Sequence, residues 1–390
     1  MVRILRHYIH RKTLYQIGFD LSVLGLLLLA AFSYQSAEPL LSSPVLVLGA
    51  ALMVTGVSSF NVRGAAQPRV LVYGCGVHAV RAGQLLQGAA AHVNLVGYYA
   101  APAAGPAAEA AQPNLFRTDT SLADLVRRER IQHIVVAVRE RHGTAMALGE
   151  LLDCKQRGVQ VLDIATHFEQ TLGLIRREAI STAWLVLGEG FAHSPLRRFN
   201  KRLLDLVGAT VLLLLALPVM LLTAGLIALE SAGPVLYRQE RVGQRGRTFN
   251  MLKFRSMRSN AEKDGQARWA SASDERVTRV GRFIRKHRID ELPQLVNVLR
   301  GQMSLVGPRP ERPCFVHSLA KALPHFTLRH SVKPGITGWA QVRFQYAASV
   351  DDAAEKLQYD LYYVKNQCLL LDLVILFDTV GVVLTCKGAL

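Results

Sequence analysis

The chain has 390 residues, half of them hydrophobic, and a formal net charge of +17. That length accommodates two domains plus membrane segments, and the charge needs an anionic partner: nucleic acid, an acidic membrane surface or a phosphorylated substrate. The apolar content argues against a nucleic-acid binder, and five scattered cysteines without C-x-x-C spacing suggest neither a zinc site nor a disulfide framework.

Residues 1–12 are basic, with Arg3, Arg6, Arg11 and Lys12. Two apolar runs follow, 14–34 and 40–62, separated by Glu38 and Pro39. Each has about the 20 residues a bilayer-crossing helix needs, although Asp20 interrupts the first. Basic residues bracket the pair, so the positive-inside rule puts both ends in the cytoplasm. No small-residue cleavage site marks a removable leader. Residues 1–63 are therefore read as an N-terminal membrane helix pair.

Residues 64–175 read as a Rossmann-like domain. RVLVY (69–73) is a buried-strand pattern, and Gly74-Cys-Gly76-Val-His-Ala79 is a G-x-G-x-x-A turn opening a helix to about Gln87. Such a turn suits a dinucleotide pyrophosphate. The second strand, 93–99, ends in Tyr98-Tyr99-Ala100, with no acid to hold a ribose hydroxyl. A degenerate nucleotide-binding scaffold is expected, and no cofactor-binding residue is assigned in it. An Ala/Pro-rich loop covers 100–114. Strands recur at 131–138 and 159–164, which completes a small parallel sheet, and 176–196 read as a linker.

Residues 206–229 are apolar throughout, with Pro218 near the middle. Arg197, Arg198, Lys201 and Arg202 precede the run; Arg238, Arg241, Arg245 and Arg247 follow it. Both ends therefore prefer the same side of a membrane. A mid-helix proline costs about 3 kcal/mol and kinks a helix. A re-entrant helix that enters, bends at Pro218 and returns satisfies both flanks. Beyond it, the alternation of Phe249, Met251 and Phe254 predicts a strand projecting Lys253 and Arg255 near a site, cations suited to a diphosphate.

Over 282–311 a basic cluster, Arg282, Arg285, Lys286, His287 and Arg288, runs into Asp290 and Glu291. Pro293 and Gly301 bracket an apolar-periodic segment, which places the two acids at the N-terminal lip of a short helix. An Asp-Glu pair at a helix start is ordinarily a solvated surface. Ringed by arginines, an ionised carboxylate there can be a nucleophile or a metal ligand facing a phosphate. Near the end, 369–384 is apolar but interrupted by Asp372 and Asp378, and reads as a helix lying at the membrane interface rather than crossing it.

Four motifs occur in order: KFRSM (253–257), RIDELPQ (288–294), SLVGPRP (304–310) and KPGITGWAQV (333–342). Together they resemble the bacterial sugar transferases, the monotopic polyprenyl-phosphate phosphoglycosyl transferases, from about Arg197 to the C-terminus. The long form, undecaprenyl-phosphate glucose phosphotransferase-like and serving exopolysaccharide synthesis, carries membrane helices and a Rossmann-like domain ahead of the transferase. The resemblance thus implies an α/β membrane protein whose 197–390 part is a mixed α+β catalytic domain with a re-entrant helix and interfacial amphipathic helices. Tyr359-Asp360-Leu-Tyr-Tyr363 and Asp372 match a helix pair of the family.

The implied reaction moves a sugar 1-phosphate from a UDP-sugar to polyprenyl (undecaprenyl) phosphate and releases UMP. It takes place at the cytoplasmic face of a bacterial inner membrane. Carried onto this sequence, Asp290 is the nucleophile that forms a covalent phosphosugar–aspartate, Glu291 a Mg²⁺ ligand and Lys253 the lysine that orients the pair. Arg285 holds the lipid phosphate and Arg309, beside Pro310, the donor phosphate. Arg255, Gln294, Trp339 and Gln341 line the substrate site, and Pro218 makes the membrane bend. Two departures stand out: Leu217 where the family often has Ser before the proline, and Gln302 where it commonly has Asp.

The competing enzyme class is a membrane-anchored NAD-dependent nucleotide-sugar dehydratase or epimerase. It needs a ribose-binding acid, which is absent, and a Tyr-x-x-x-Lys pair, found only at Tyr8 and Lys12 in the basic arm. A non-enzymatic basic scaffold leaves the Asp290–Glu291 and 307–310 motifs unused. The sequence leaves open which sugar is moved, the pathway and the oligomeric state, a homodimer included.

Overall fold

Where the sequence alternates apolar strands with short helices, a parallel sheet forms. The computed structural model describes residues 2–4, 7–9, 67–88, 93–100, 114–116, 121–137, 148–180, 190–191, 194–258, 276–344 and 349–384. Both expected N-terminal membrane helices lie outside them; ahead of these, Val2–Ile4 pairs antiparallel with His7–Ile9. The chain divides into two units, Met1–Ile180 and Ser181–Leu390.

In the first unit, strands β1 (Arg69–Tyr73), β2 (Asn94–Tyr99), β3 (Leu115–Phe116), β4 (His133–Val136) and β5 (Gln160–Asp163) run parallel in the order β3-β2-β1-β4-β5. Helices α1 (Val77–Gln87), α2 (Leu122–Arg128), α3 (Leu148–Gln156) and α4 (Ile164–Leu172) intervene. Central strand β1 is buried on both faces, as parallel strands are. Leu71 and Tyr73 join Leu122, Leu125, Ile134 and Leu151 on one side; Val70 and Val72 join Ala79, Leu86 and Phe168 on the other. Edge strand β3 is an addition to the sequence reading.

The Gly74–Gly76 turn is formed, with φ of 137° and 82° at the two glycines. At the end of β2, however, Tyr98 packs against Gly83 of α1 so closely that no Cβ fits there, and Tyr99 is buried beside Tyr73. Aromatic side chains thus fill the ground next to the turn. On α4, His167 is fully buried with both ring nitrogens unpartnered, edge-on to His133 at 5.4 Å between ring centres. Burial, then the neighbouring His133, drops its pKa to about 4.

The second unit begins with α5 (Pro195–Glu230), started by Ser194, whose Oγ accepts from Arg197 N at 3.3 Å, and by Pro195 at its first turn. Among the described residues it is the only helix long and apolar enough to cross a membrane. The expected break at Pro218 is not a gap: helix runs through it from end to end. Leu214, Leu215, Leu221 and Leu222 of its middle are exposed, while Ala209 and Thr223 on either side are buried.

Both arms of α5 are fastened within this unit. At the first, Asp205 accepts from Ser304 Oγ at 2.8 Å and Leu305 N at 3.0 Å; Lys201 bridges Asp205 and the fully buried Asp372 at 3.2 and 3.1 Å. At the second, Ile227 packs on Phe254 and Ile284. The rest comprises an antiparallel pair, β6 (Leu236–Val242) and β7 (Thr248–Phe254), then α6 (Arg279–Lys286), a 3₁₀ turn (Ile289–Glu291) and α7 (Gln294–Leu299). Strand β8 (Ser304–Val306) follows, then α8 (Pro313–Ala322) and β9 (Gly335–Thr337), parallel to β8. Three helices close the chain: α9 (Trp339–Arg343), α10 (Val350–Asn366) and α11 (Leu369–Leu384). Helix α11 buries Leu371, Val374 and Ile375 and exposes Leu373 and Val380.

Candidate active site

The two acids lie on the 3₁₀ turn Ile289–Glu291, directly ahead of α7 and just after Arg288, which adopts a left-handed φ of 54°. The expected helix lip is thus a tight turn plus α7, with Pro293 capping α7 and Gly301, at φ 79°, just past its end. One buried side chain joins this segment to β7. Asn297 Oδ1 accepts from Leu252 N at 3.0 Å, and its Nδ2 donates to Asn250 O and Gln302 Oε1, both at 2.8 Å. Gln302, the departure from Asp, therefore keeps a polar contact with the helix. With β7 so fixed, Lys253 on the next position reaches the acids.

Glu291 is the anchor. Lys253 Nζ donates to its Oε1 at 3.2 Å and Arg309 Nη2 to the same oxygen at 3.1 Å, while Arg288 Nη1 lies 3.7 Å from Oε2. Burial raises the Glu291 pKa, but Lys253, Arg309 and Arg288 override it and hold this carboxyl well below the usual range. Asp290 is different. It is as buried as Glu291, yet among the described residues its carboxylate makes no hydrogen bond or ion pair. Burial and then the charge of Glu291 push its pKa up to about 6, against the pull of Lys253, Arg285 and Arg309. One carboxylate is locked and ionised; its neighbour is unencumbered and more basic, which is what a nucleophile needs.

The structure brings Asp290, Glu291, Lys253, Arg285 and Arg309 together. It does not bring Arg255. That guanidinium is buried and donates to Ser231 O at 2.6 Å, Ser231 Oγ at 2.9 Å, Ala232 O at 3.2 Å and Ile227 O at 3.4 Å. It ties off the C-terminal carbonyls of α5, a correction to its expected place on a phosphate. Strand alternation put Lys253 and Arg255 on one face, but Arg255 follows the last residue of β7 and turns to the helix end. Gln294 is buried in the first turn of α7, and the Pro310 carbonyl accepts from Arg241 Nη1 at 2.9 Å. Trp339 stacks on Tyr362 and lies under Arg343, and Gln341 donates to Ile336 O at 3.0 Å, so both hold α9 in place. Arg288, named in the sequence only within the basic cluster and its motif, joins the site as well; its left-handed backbone is invisible in a basic run.

For Mg²⁺ the donor chemistry fits: this ion takes one or two carboxylates and completes its shell with water and substrate phosphate. Glu291 is the carboxylate that would hold it. Among the described residues no group of three or more His, Cys, Asp or Glu side chains forms a closed cage.

The family model of bacterial sugar transferases matches residues 196–386, from the start of α5 through α11. The UDP-glucose:undecaprenyl-phosphate glucose-1-phosphate transferase of Caulobacter vibrioides is 42% identical over 215 residues, 54% of this chain and 79% of that protein. The chain belongs to the bacterial sugar transferase family. Two further relatives of the chain are longer than the match. The UDP-N-acetylgalactosamine-undecaprenyl-phosphate N-acetylgalactosaminephosphotransferase of Aeromonas hydrophila is 52% identical over 196 residues, 50% of this chain and 46% of its own length. The Escherichia coli UDP-glucose:undecaprenyl-phosphate glucose-1-phosphate transferase is 41% identical over 189 residues, 48% of this chain and 40% of its own length. The chain thus matches less than half the length of these two.

Proposed function

We propose that this chain transfers a sugar 1-phosphate from a UDP-sugar to polyprenyl (undecaprenyl) phosphate, giving the polyprenyl-diphosphate-sugar and UMP as the first membrane step of exopolysaccharide, capsule or O-antigen synthesis. The observation that carries this reading is the unequal pair: Glu291 held by three cations, Asp290 beside it unbonded and raised. An Asp290 oxygen attacks the phosphorus next to the sugar. A new P–O bond forms to Asp290, and the P–O bond to the UMP oxygen breaks. An oxygen of the lipid phosphate then attacks the same phosphorus and displaces Asp290. Splitting the displacement this way needs the repulsion between anions offset. Lys253, Arg309 and Arg288 neutralise Glu291, while Arg285 adds positive charge beside Asp290. Glu291 would hold Mg²⁺, which would supply further charge neutralisation on the diphosphate.

Helix α5 is read as a re-entrant segment that keeps the site at the cytoplasmic face of the inner membrane. Fastening of both its arms to one unit, with the apolar middle exposed, supports this. With Arg198→Cys and Arg238→Cys in a background lacking other cysteines, an impermeant thiol reagent labels both from the cytoplasm; labelling from opposite sides excludes the re-entrant path. The reaction itself is tested by incubating membranes with undecaprenyl phosphate and a panel of UDP-sugars. Donor-specific UMP release that requires the lipid is expected, and none with any donor refutes the assignment.

A further inference from the structure

The segment 307–311 has no regular secondary structure, yet its backbone is tied at every residue. Gly307 N donates to Thr337 O at 2.9 Å, Gly335 N to Pro308 O at 3.0 Å and Val242 N to Glu311 O at 2.9 Å. The two carbonyls between are held by side chains. Arg329 Nη2 donates to Arg309 O at 3.0 Å, and Arg241 Nη1 to Pro310 O at 2.9 Å. Arg329 is itself fixed by Asp360, whose Oδ2 accepts from Nε at 3.0 Å and lies 2.7 Å from Nη2. Arg329 is 6% exposed and Asp360 2%.

A buried ion pair adds little net stability over apolar packing of the same volume. What this one supplies is direction. A guanidinium is a rigid planar fork, so anchoring one edge on Asp360 fixes where Nη2 points. It points at the main chain of Arg309, whose side chain holds Glu291 at 3.1 Å. Pro308 and Pro310 stiffen the main chain on either side. We infer that Arg329 and Asp360 are positioning residues for the transfer proposed above. They pin the Arg309 carbonyl so that the Arg309 guanidinium stays on Glu291 and faces the donor diphosphate. The inference rests on that reading of the site.

The test is a double-mutant cycle on the full chain in lipid nanodiscs with undecaprenyl phosphate. Donors are UDP-glucose and UDP-N-acetylgalactosamine, and UMP release is measured. Arg329→Lys keeps the charge opposite Asp360 and loses the fork. It is expected to lower kcat/KM for the donor roughly tenfold to a hundredfold with KM for the lipid unchanged. In an Arg309→Ala background it has no further effect, because the group it positions is gone. Losses that multiply in the double variant, or a lipid KM that moves with the donor term, overturn the inference. If Arg329→Lys does not fold, the near-isosteric Asp360→Asn runs the same cycle. An inactive wild type sinks the transfer reading and this inference together. An active wild type with multiplying losses sinks the inference alone.

Discussion

In the N-terminal unit the central strand β1 is packed on both faces by Leu, Val, Tyr and Phe side chains, and the ring of a buried histidine, His167, has no hydrogen-bond partner among the described residues. In the C-terminal unit strand β7 is held at its edge by Asn297, both arms of α5 are tied by Asp205 and Arg255, and the 307–311 segment is gripped by Arg241 and Arg329. Apolar contact is non-directional and gives cohesion. Hydrogen bonds to buried charged groups fix direction, and the site depends on direction: Lys253 and Arg309 converge on one oxygen of Glu291. The unit with the nucleotide-type turn is built for packing; the unit without a large sheet is built for aim.

Variants can break or sharpen that contrast. The largest effect is expected from Asp290→Asn, which removes the proposed nucleophile without touching an ion pair. UMP release should fall by at least about 10³-fold while the melting temperature stays within experimental error; a mutant with normal turnover ends the covalent route. Next, Asn297→Leu keeps the branched shape but strands Leu252 N and Asn250 O. Denaturant unfolding should show a loss of about 4 kcal/mol, with activity falling alongside. A neutral result would show that packing alone orders this unit.

In the N-terminal unit the matching weak point is pH. The folded pKa of His167, about 4, lies below its ordinary 6.5, so the neutral form is favoured by folding. Its contribution is therefore fully present above pH 6.5 and is lost as pH falls toward 4. The difference corresponds to about 3 kcal/mol, read as faster hydrogen exchange in 160–172; His167→Leu should flatten the response. The smallest effect is at the start of α4. Asp163 accepts from Thr166 N at 3.0 Å and from the Thr166 hydroxyl at 2.6 Å, so Asp163→Ala should cost about 1 kcal/mol.

What the sequence made legible follows the same division. Strand β1 and helix α1 end where the apolar run and the glycines say, and the 206–229 part of α5 follows from hydropathy, while its start at Pro195 lies in a stretch read as linker. The acid pair and its lysine stand out by motif. Strand β3 does not, because two residues after an Ala/Pro-rich stretch carry no period. The clamps were hidden for a different reason. Arg329 and Asp360 are 31 residues apart, and Asn297 and Leu252 are 45 apart. Arg255 shows the cost of arguing from alternation alone, which names a face but not a destination.

The left-handed backbone at Arg288 carries a consequence for how this position can vary. Glycine would relieve a conformation that disfavours a Cβ by about 1 kcal/mol, but would take away the cation at 3.7 Å from Glu291. Foldability and chemistry thus pull in opposite directions at a single codon. A saturation library there, selected first for abundance and then for turnover, would rank its members in two different orders.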